Sequence, residues 1–287
     1  MNQTLEQYIR QRHTKQTADT YLYEIDNFKS TNPKCRWYKY QDIINYLEVL
    51  KGKYPKGSSR TRILASIKKY YDYLLESGKR NDHPCRTIKI KRQKHYIQTQ
   101  DLFTRDELMA LFNRENRYEI LEIRNKLIIS LLVFQGLTSE DIIKLNIQNV
   151  DLDEGSITIK ATSKLKKRDM ELDRTQFQLF NKYLNEVRPK LLKQKTNRLI
   201  LGKLGTEISV DGLHSIFDQF RTLYSDRKLN PSTIRQSTIS YWLNIKKYPV
   251  EDVQDLAGHK YPSATEAYRM LDDIKSKVWI NKFHPLG

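Results

Sequence analysis

Positions 256–268, LAGHKYPSATEAY, are the most informative segment of the chain. A helical pattern that starts at Val250 ends at Gly258, because glycine readily takes the left-handed conformation that terminates a helix. His259 follows directly, and Tyr268 lies nine residues beyond it. Alone, the segment is only moderately specific, since the chain has 18 tyrosines and a tyrosine on a helix is usually a half-buried packing residue.

Three upstream segments give this one its context. PSTIRQST begins at Pro231, a residue favoured in the first turn of a helix, and contains Arg235. QGLTSEDIIKL, residues 135–145, predicts a short amphipathic helix. Between these two, the strand-like runs GSITIK (155–160) and RDMEL (168–172) flank the lysine-rich tip ATSKLKK and predict a β-hairpin.

Helical patterns extend outward from these segments. From Thr4 to Gly78 the apolar residues recur three and four apart, which predicts a bundle of about four helices. A capping-box pattern from Thr104 to Glu107 opens the second half, where further helices are predicted over 124–134, 174–195, 210–224, 231–245, 250–256 and 264–278. The fold class is therefore mainly α: a helical bundle, then a mixed α/β domain that is mostly helical with a small β-hairpin or sheet.

The composition predicts a polyanionic partner. Lys and Arg outnumber Asp and Glu by 51 to 34, for a net charge of +17, and nucleic acid is the first candidate. Ribosomal, membrane-surface and heparin-binding proteins share this balance. Cys35 and Cys85 have neither zinc-ligand nor disulfide-framework spacing, and no segment has the apolar run of a signal peptide or membrane span. We therefore expect a cytoplasmic protein without metal or membrane attachment.

Basic residues indicate where DNA would lie. We expect an N-terminal helical domain at 1–85, a basic interdomain linker at 86–101 and a second domain at 102–287. Ser58 and Ser59 predict a helix start among basic residues, an arrangement that holds phosphates or is simply a solvated, capped loop; the linker lies along a DNA backbone or is a solvated tether. The candidate DNA-binding residues are Lys56, Arg60, Arg62, Lys89, Lys91 and Arg92.

In their order and spacing, the four segments of the second half resemble the catalytic domain of the tyrosine recombinase (phage integrase) family. Residues 256–268 are similar to its LGHxxxxTTxxY box, residues 231–238 to its HxLRHT segment, and residues 135–145 to its TGLRxsEllxL segment, with Asp141 at the acidic position. The hairpin resembles one whose tip carries a catalytic lysine. The N-terminal part resembles, more weakly, the family's core-binding, SAM-like domain.

The resemblance implies a site-specific recombinase or integrase, of a mobile element. Tyr268 would attack a scissile phosphate and form a 3′-phosphotyrosine, Arg235 and His259 would hold that phosphate, and Lys164 would protonate the leaving oxygen, with Lys160 and Lys166 as alternatives. It also implies no cofactor. The partner would be double-stranded DNA, bound by a homotetramer that is a monomer or weak oligomer when free, and nucleoid-associated when on DNA. A tail around Val278–Phe283 would dock on a neighbouring subunit or pack on its own domain.

Two positions depart from the family pattern. Thr138 stands where the first arginine belongs, and Ser232 stands where the histidine of HxxR belongs. One cation and one base are thereby lost, and Arg124 and Lys144 are basic residues near in sequence that would compensate. A catalytically impaired, recombinase-like DNA-binding accessory protein is the main alternative; a basic RNA-binding protein would leave the order of the motifs unexplained.

Overall fold

The computed structural model describes residues 3–91, 101–113, 119–220, 223–224 and 226–269. The chain divides into two compact units, Met1–His95 and Tyr96–Gly287. The division falls inside the segment 86–101, for which the sequence predicts a linker. Residues 92–100, with Arg92 among them, lie outside the described residues, so the linker and the proposed domain limits stay predictions.

Four α-helices form the described part of the first unit, in agreement with the periodicity of its apolar residues. They are α1 (Leu5–Arg12), α2 (Lys15–Thr31), α3 (Tyr40–Lys53) and α4 (Gly57–Glu76). Their apolar faces meet in one core, where Phe28 lies edge-on to Tyr46 with ring centroids 4.8 Å apart. Cys35 and Cys85 are both buried and unbonded to each other.

The start of α4 differs from the prediction. Lys56 occupies the N-cap position, no side chain caps the helix, and Ser58 and Ser59 lie inside its first turn. Gly57 and the following residues extend the helix because α4 packs its buried face against α2, and tertiary packing outweighs the local preference of serine for a cap.

The second unit is mostly helical with a small antiparallel sheet, which confirms the predicted fold class. Its helices are α5 (Arg105–Ala110), α6 (Glu119–Phe134), α7 (Ser139–Lys144), α8 (Arg174–Lys182), α9 (Arg188–Leu191), α10 (Val210–Asp218), α11 (Pro231–Ser240), α12 (Val250–Ala257) and α13 (Pro262–Glu266). Single π-helical turns, Tyr183–Val187 and Tyr241–Ile245, extend α8 into α9 and lengthen α11. The helical segment predicted over 174–195 ends at Leu191. The helix predicted over 264–278 ends at Glu266 within the described residues, and the part beyond 269 lies outside them.

The sheet has three strands in the order β1 (Val150–Asp151), β2 (Ser156–Ile159) and β3 (Arg168–Glu171). Strands β2 and β3 form the predicted hairpin, with Ile157 opposite Met170. Strand β1 was not predicted, because two residues are too few to show the alternation that identifies a strand. The inward faces of the sheet join a core built around the second half of α6, which is apolar from Leu127 to Phe134 except at Ser130.

None of the helices in the described ranges is both long and apolar enough to cross a membrane. Within the same ranges, no group of three or more His, Cys, Asp or Glu side chains is placed to hold a metal ion. The expectation of a reaction without metal or cofactor stays a prediction.

Candidate active site

A cleft of about 390 Å³ in the second unit is lined by the four first-choice catalytic candidates and by the two positions that depart from the family pattern. They are Thr138, Lys164, Ser232, Arg235, His259 and Tyr268. His259 follows α12, and Tyr268 follows α13. Thr138 caps α7, Ser232 lies in the first turn of α11, and Arg235 lies further along α11. Lys164 lies on the hairpin tip. Residues up to 130 positions apart in sequence are thus brought to one concave surface.

Arg235 is held rigidly at the base of this cleft. The helix α11 begins at Pro231 behind the cap residue Asn230, and this start places Arg235 on the buried face, 7% exposed. Its Nη1 donates to the carbonyl of Gly136, and its Nη2 donates to the carbonyl of Ala257 at 2.7 Å. Burial, and then the nearby Arg168, lower the pKa of Arg235 to about 10, so the guanidinium keeps its charge at neutral pH.

Two glycines make these carbonyls available. Gly136 and Gly258 have φ values of +57° and +69°, in the left-handed region where a side chain is strained. Gly258 ends α12 directly after Ala257, and Gly136 follows the end of α6. A cation that caps the carbonyl end of a helix is favoured by the helix dipole, which explains why Arg235 sits between the two helix ends.

His259 is a neutral hydrogen-bond acceptor on its cleft side. Its Nε2 lies 3.2 Å from Nη2 of Arg235, and because a guanidinium only donates, Nε2 must accept. Its Nδ1 therefore carries the proton and donates to Oγ1 of Thr265, at 2.8 Å. Burial, and then Arg235 and Arg168, lower the pKa of His259 to about 4.

Tyr268 stacks on this imidazole. The two ring centroids are 6.0 Å apart and the planes are inclined by 18°. The backbone of Tyr268 is fixed at both ends, since its N–H donates to Thr265 and its carbonyl accepts from Asn244, each at 2.9 Å. Burial raises the pKa of the phenol, and Arg235 lowers it in part, so the phenol is protonated in the free protein.

The hairpin tip is attached to the histidine segment. Lys166 N–H donates to the carbonyl of Gly258 at 2.8 Å, Leu165 forms a β-bridge with His259, and Nζ of Lys260 donates to the carbonyl of Ser163. Lys164, exposed at the tip, lines the cleft.

The two alternative hairpin lysines point elsewhere. Nζ of Lys166 lies 3.6 Å from the carboxylate of Asp255. Lys160 lines a different cavity, on the side of the sheet where Arg198 lies. Of the three lysines considered from the sequence, Lys164 is the one that borders the cleft.

An arginine that the sequence reasoning did not select lies directly behind the site. Arg168, 6% exposed, donates from Nη2 to Asp141 at 2.8 Å, while its Nε and Nη1 are buried with no hydrogen-bond partner in the structure. Asp141 in turn accepts from the N–H of Thr138, and the hydroxyl of Thr138 accepts from the N–H of Asp141. Thr138 thus caps α7 instead of supplying a cation.

The compensating residues suggested by the sequence are not in the cleft. Lys144 pairs with Glu140 and lines the cavity beside Lys160, and Arg124 is buried against the carbonyl of Leu201. The signal that would have found Arg168 is alternation: Arg168 and Met170 occupy the inward-facing positions of strand β3, and the buried Leu172 follows it. An arginine on an inward face needs a partner.

The candidate DNA-binding residues of the first unit have mixed surroundings. Lys56, Lys89 and Lys91 are exposed, and the carbonyl of Lys91 lies beside Gly57, next to Lys56. Nη1 of Arg62 pairs with the buried carboxylate of Glu24 at 2.6 Å. Arg60 is half-buried, with its Nε out of contact with solvent.

Comparison with known proteins identifies the family. Residues 101–274 match the phage integrase family over more than half of the chain. The chain belongs to the phage integrase family. Because its similar relatives are tyrosine recombinases, the chain is a tyrosine recombinase, an enzyme that cuts and rejoins DNA at specific sites. The order of the four segments predicted this function.

The relatives extend the likeness beyond the catalytic part. A tyrosine recombinase XerC of Lactobacillus delbrueckii subsp. bulgaricus is 28% identical over 215 residues, which cover 74% of this chain and 72% of the relative. A tyrosine recombinase XerD of Staphylococcus epidermidis is 26% identical over 231 residues, covering 80% and 77%. In fold, the chain is similar to a XerH site-specific recombinase bound to its difH substrate in a post-cleavage complex, with a TM-score of 0.72, 17% identity and coverage of 91% and 79%.

Proposed function

We propose that Tyr268 is the nucleophile of this recombinase and that Arg235, His259 and Lys164 complete its reacting site. The convergence of these four residues on one cleft carries the proposal. The phenolic oxygen of Tyr268 forms a bond to the scissile phosphorus as the bond to the 5′ oxygen breaks. The product is a 3′-phosphotyrosine and a free 5′-hydroxyl, which attacks the phosphotyrosine of a partner duplex in the reverse sense.

Arg235 neutralises the phosphate. Attack on a phosphodiester adds charge to the nonbridging oxygens, and a guanidinium already fixed by two backbone carbonyls pays little for orientation. The incoming phosphate oxygen takes the Nη2 donor that now faces His259.

His259 then receives the proton of the nucleophile. Its Nε2 is an acceptor in the free protein, and the stacked phenol of Tyr268 is its neighbour. Once a phosphate oxygen accepts the Nη2 hydrogen that now faces His259, the Nε2 lone pair is free for the phenolic proton. This assignment makes His259, rather than Ser232, the base, because a serine hydroxyl cannot accept a proton near neutral pH.

Lys164 supplies the opposite proton. A 5′ alkoxide is a poor leaving group unless it is protonated as the bond breaks, and the position of an exposed lysine at the edge of the cleft supports that role for Lys164. The movement of Lys164 is limited by hydrogen bonds of the hairpin tip. Its own N–H donates to the hydroxyl of Thr162, and the N–H of Lys166 donates to the carbonyl of Gly258.

Thr138 and Ser232 are expected to slow the reaction. Loss of one fixed cation costs about 10²-fold in rate, by analogy with the removal of one oxyanion donor. The buried charge of Arg168 behind the cleft offsets part of this loss, because it lies close enough to Arg235 and His259 to lower both pKa values.

DNA binding engages both units. We place a double-stranded site against the cleft of the second unit and against Lys56, Lys89 and Lys91 of the first, with a homotetramer assembling on two duplexes. We also assign the enzyme to a mobile element and to the cytoplasm, at the nucleoid when it is bound to DNA. Each of these finer assignments rests on the family likeness and on the net charge of +17.

The test is covalent capture on nicked suicide duplexes cut from the DNA that flanks the gene. Wild type is expected to form a protein–DNA adduct that survives denaturation, and Tyr268→Phe is expected to form none. Tyr261→Phe is the matched control, because Tyr261 belongs to the same segment but is 71% exposed and outside the cleft. An adduct that persists in Tyr268→Phe contradicts the assignment.

A DNA-binding accessory protein is the second candidate function, favoured by Thr138 and Ser232 in the cleft. It predicts that wild type binds the same duplexes and yields no adduct on any of them. Adduct formation by wild type excludes it.

A further inference from the structure

Arg124 is a buried cation without a counter-charge in the described part of the chain. It lies on α6 and is 5% exposed. Its Nε and Nη2 donate to the side-chain oxygen of Asn125, at 3.1 and 2.7 Å, and its Nη1 donates to the carbonyl of Leu201 at 3.3 Å. All these acceptors are neutral. Burial of a charge is costly unless an opposite charge meets it, so the environment of Arg124 is electrostatically incomplete.

The guanidinium also has spare donors. An arginine carries five N–H groups, and the three hydrogen bonds to Asn125 and Leu201 leave one on each Nη. Burial lowers the pKa of Arg124, but the charge persists at neutral pH because arginine starts far above it.

A small cleft of about 180 Å³ opens beside this guanidinium; we call it the Arg124 cleft. One wall is the tight loop 202–206, GKLGT, which is closed by a hydrogen bond from Gly202 N–H to the carbonyl of Thr206 at 2.8 Å and which presents Lys203. The other wall is the N-terminal turn of the nine-residue helix α10, capped by Ser209. A helix N-terminus has a positive partial charge, so both walls and the buried cation have the same sign.

The acidic residue in the wall is engaged elsewhere. Glu207 accepts from Oγ1 of Thr196 at 2.8 Å and lies 3.5 Å from Nε of Arg198. Within the lining of the Arg124 cleft it is the one carboxylate, and its two partners hold it at the outer edge.

We propose that the Arg124 cleft binds a phosphate group, and that in the working complex this is a DNA backbone phosphate other than the one that reacts. Helix α10 connects the two sites. Ser215 lines the Arg124 cleft, and the preceding residue, His214, lies with its Nε2 3.4 Å from Oγ of Ser139, which lines the active cleft. A DNA duplex bound at the active cleft would therefore bring a neighbouring backbone phosphate toward the N-terminal half of α10. The assignment of the phosphate to DNA rests on the proposed function, whereas the existence of a phosphate site does not.

The first arm of the experiment measures the melting temperature of the full chain against inorganic phosphate at constant ionic strength. We expect wild type to gain about 4 °C at tenfold excess over Kd. Arg124→Gln, which keeps a donor for Leu201, and Lys203→Ala should lose most of this gain. Lys195→Ala removes one exposed charge outside the cleft and should keep it. A purely structural Arg124 would lower the starting melting temperature and leave the gain intact, and that result overturns the proposal.

The second arm assigns the phosphate to DNA or to solution. Binding of a non-specific 30-base-pair duplex is measured over a series of salt concentrations. Loss of one phosphate contact lowers the slope of log Kd against log salt by about 0.9 in Arg124→Gln and Lys203→Ala. An unchanged slope together with a lost phosphate gain overturns the DNA assignment and identifies a free phosphate ion as the ligand. Failure of the suicide-duplex capture would leave both readouts intact, so the two proposals fail separately.

Discussion

Acid is expected to destabilise the second unit through one imidazole, that of His259. Burial beside Arg235 and Arg168 sets its pKa at about 4 in the folded protein, against 6.5 when exposed. As pH falls below 6.5, His259 becomes protonated in the unfolded chain but stays neutral in the folded chain. The stability that His259 contributes is therefore present above pH 6.5 and is lost as pH falls toward 4, and between pH 7 and pH 4.5 the loss amounts to about 2 kcal/mol.

The assay compares urea unfolding of wild type and His259→Gln at these two pH values. Both carry Trp37→Phe, which removes the tryptophan of the first unit and leaves those at 242 and 279 in the second. All other titrating groups cancel in the difference between the variants, so the free energy of unfolding should fall about 2 kcal/mol more in wild type than in His259→Gln. Equal losses in the two proteins would refute the picture of a buried, neutral His259.

Four further substitutions test the proposed reacting groups and the residues that support them. Ser232→His restores an imidazole to the cleft and should raise the rate of adduct formation by about 10²-fold; Thr138→Arg should raise it similarly while costing about 1 kcal/mol of stability through the lost cap of α7. Lys164→Ala should slow cleavage of normal DNA by about 10²-fold but regain wild-type rate on a duplex with sulfur at the 5′ leaving position, whereas a Lys164 that only binds DNA would slow both substrates alike. Arg168→Met should lower the free energy of unfolding, measured by urea titration, by about 3 to 5 kcal/mol, because it leaves Asp141 buried without its partner. Adding Asp141→Asn to the same chain should recover part of that loss. No recovery would contradict the pairing.

Much of the fold and of the site was predictable because the conformations that neighbouring residues favour are the ones that the tertiary structure requires there. Gly258 ends α12 where the left-handed conformation is required, and Pro231 opens α11 so that Arg235 falls on its buried face. These are properties of neighbouring residues, which a sequence displays directly.

The remainder depends on contacts between distant residues. Arg168 meets Asp141 across twenty-seven positions, and the pairing is decided by how the hairpin docks on α7 rather than by either local sequence. Arg124 looked like a compensating cation because of its position before the TGLRxsEllxL-like segment, yet α6 directs it toward Leu201. Sequence distance is a poor guide to such side chains, since a helix turns them to opposite faces within two residues.

The β-bridge between Leu165 and His259 joins the hairpin tip that carries Lys164, the proposed acid, to the backbone of His259, the proposed base. The backbone N–H of Lys166 donates to Gly258 and the side-chain Nζ of Lys260 donates to the carbonyl of Ser163, so the hairpin tip is attached to the turn after α12 on both sides of Lys164. A displacement of that turn would thus withdraw Lys164 and the imidazole of His259 from the cleft together. On the roles proposed for these two residues, movement of this one turn would remove the proton acceptor and the proton donor in the same step.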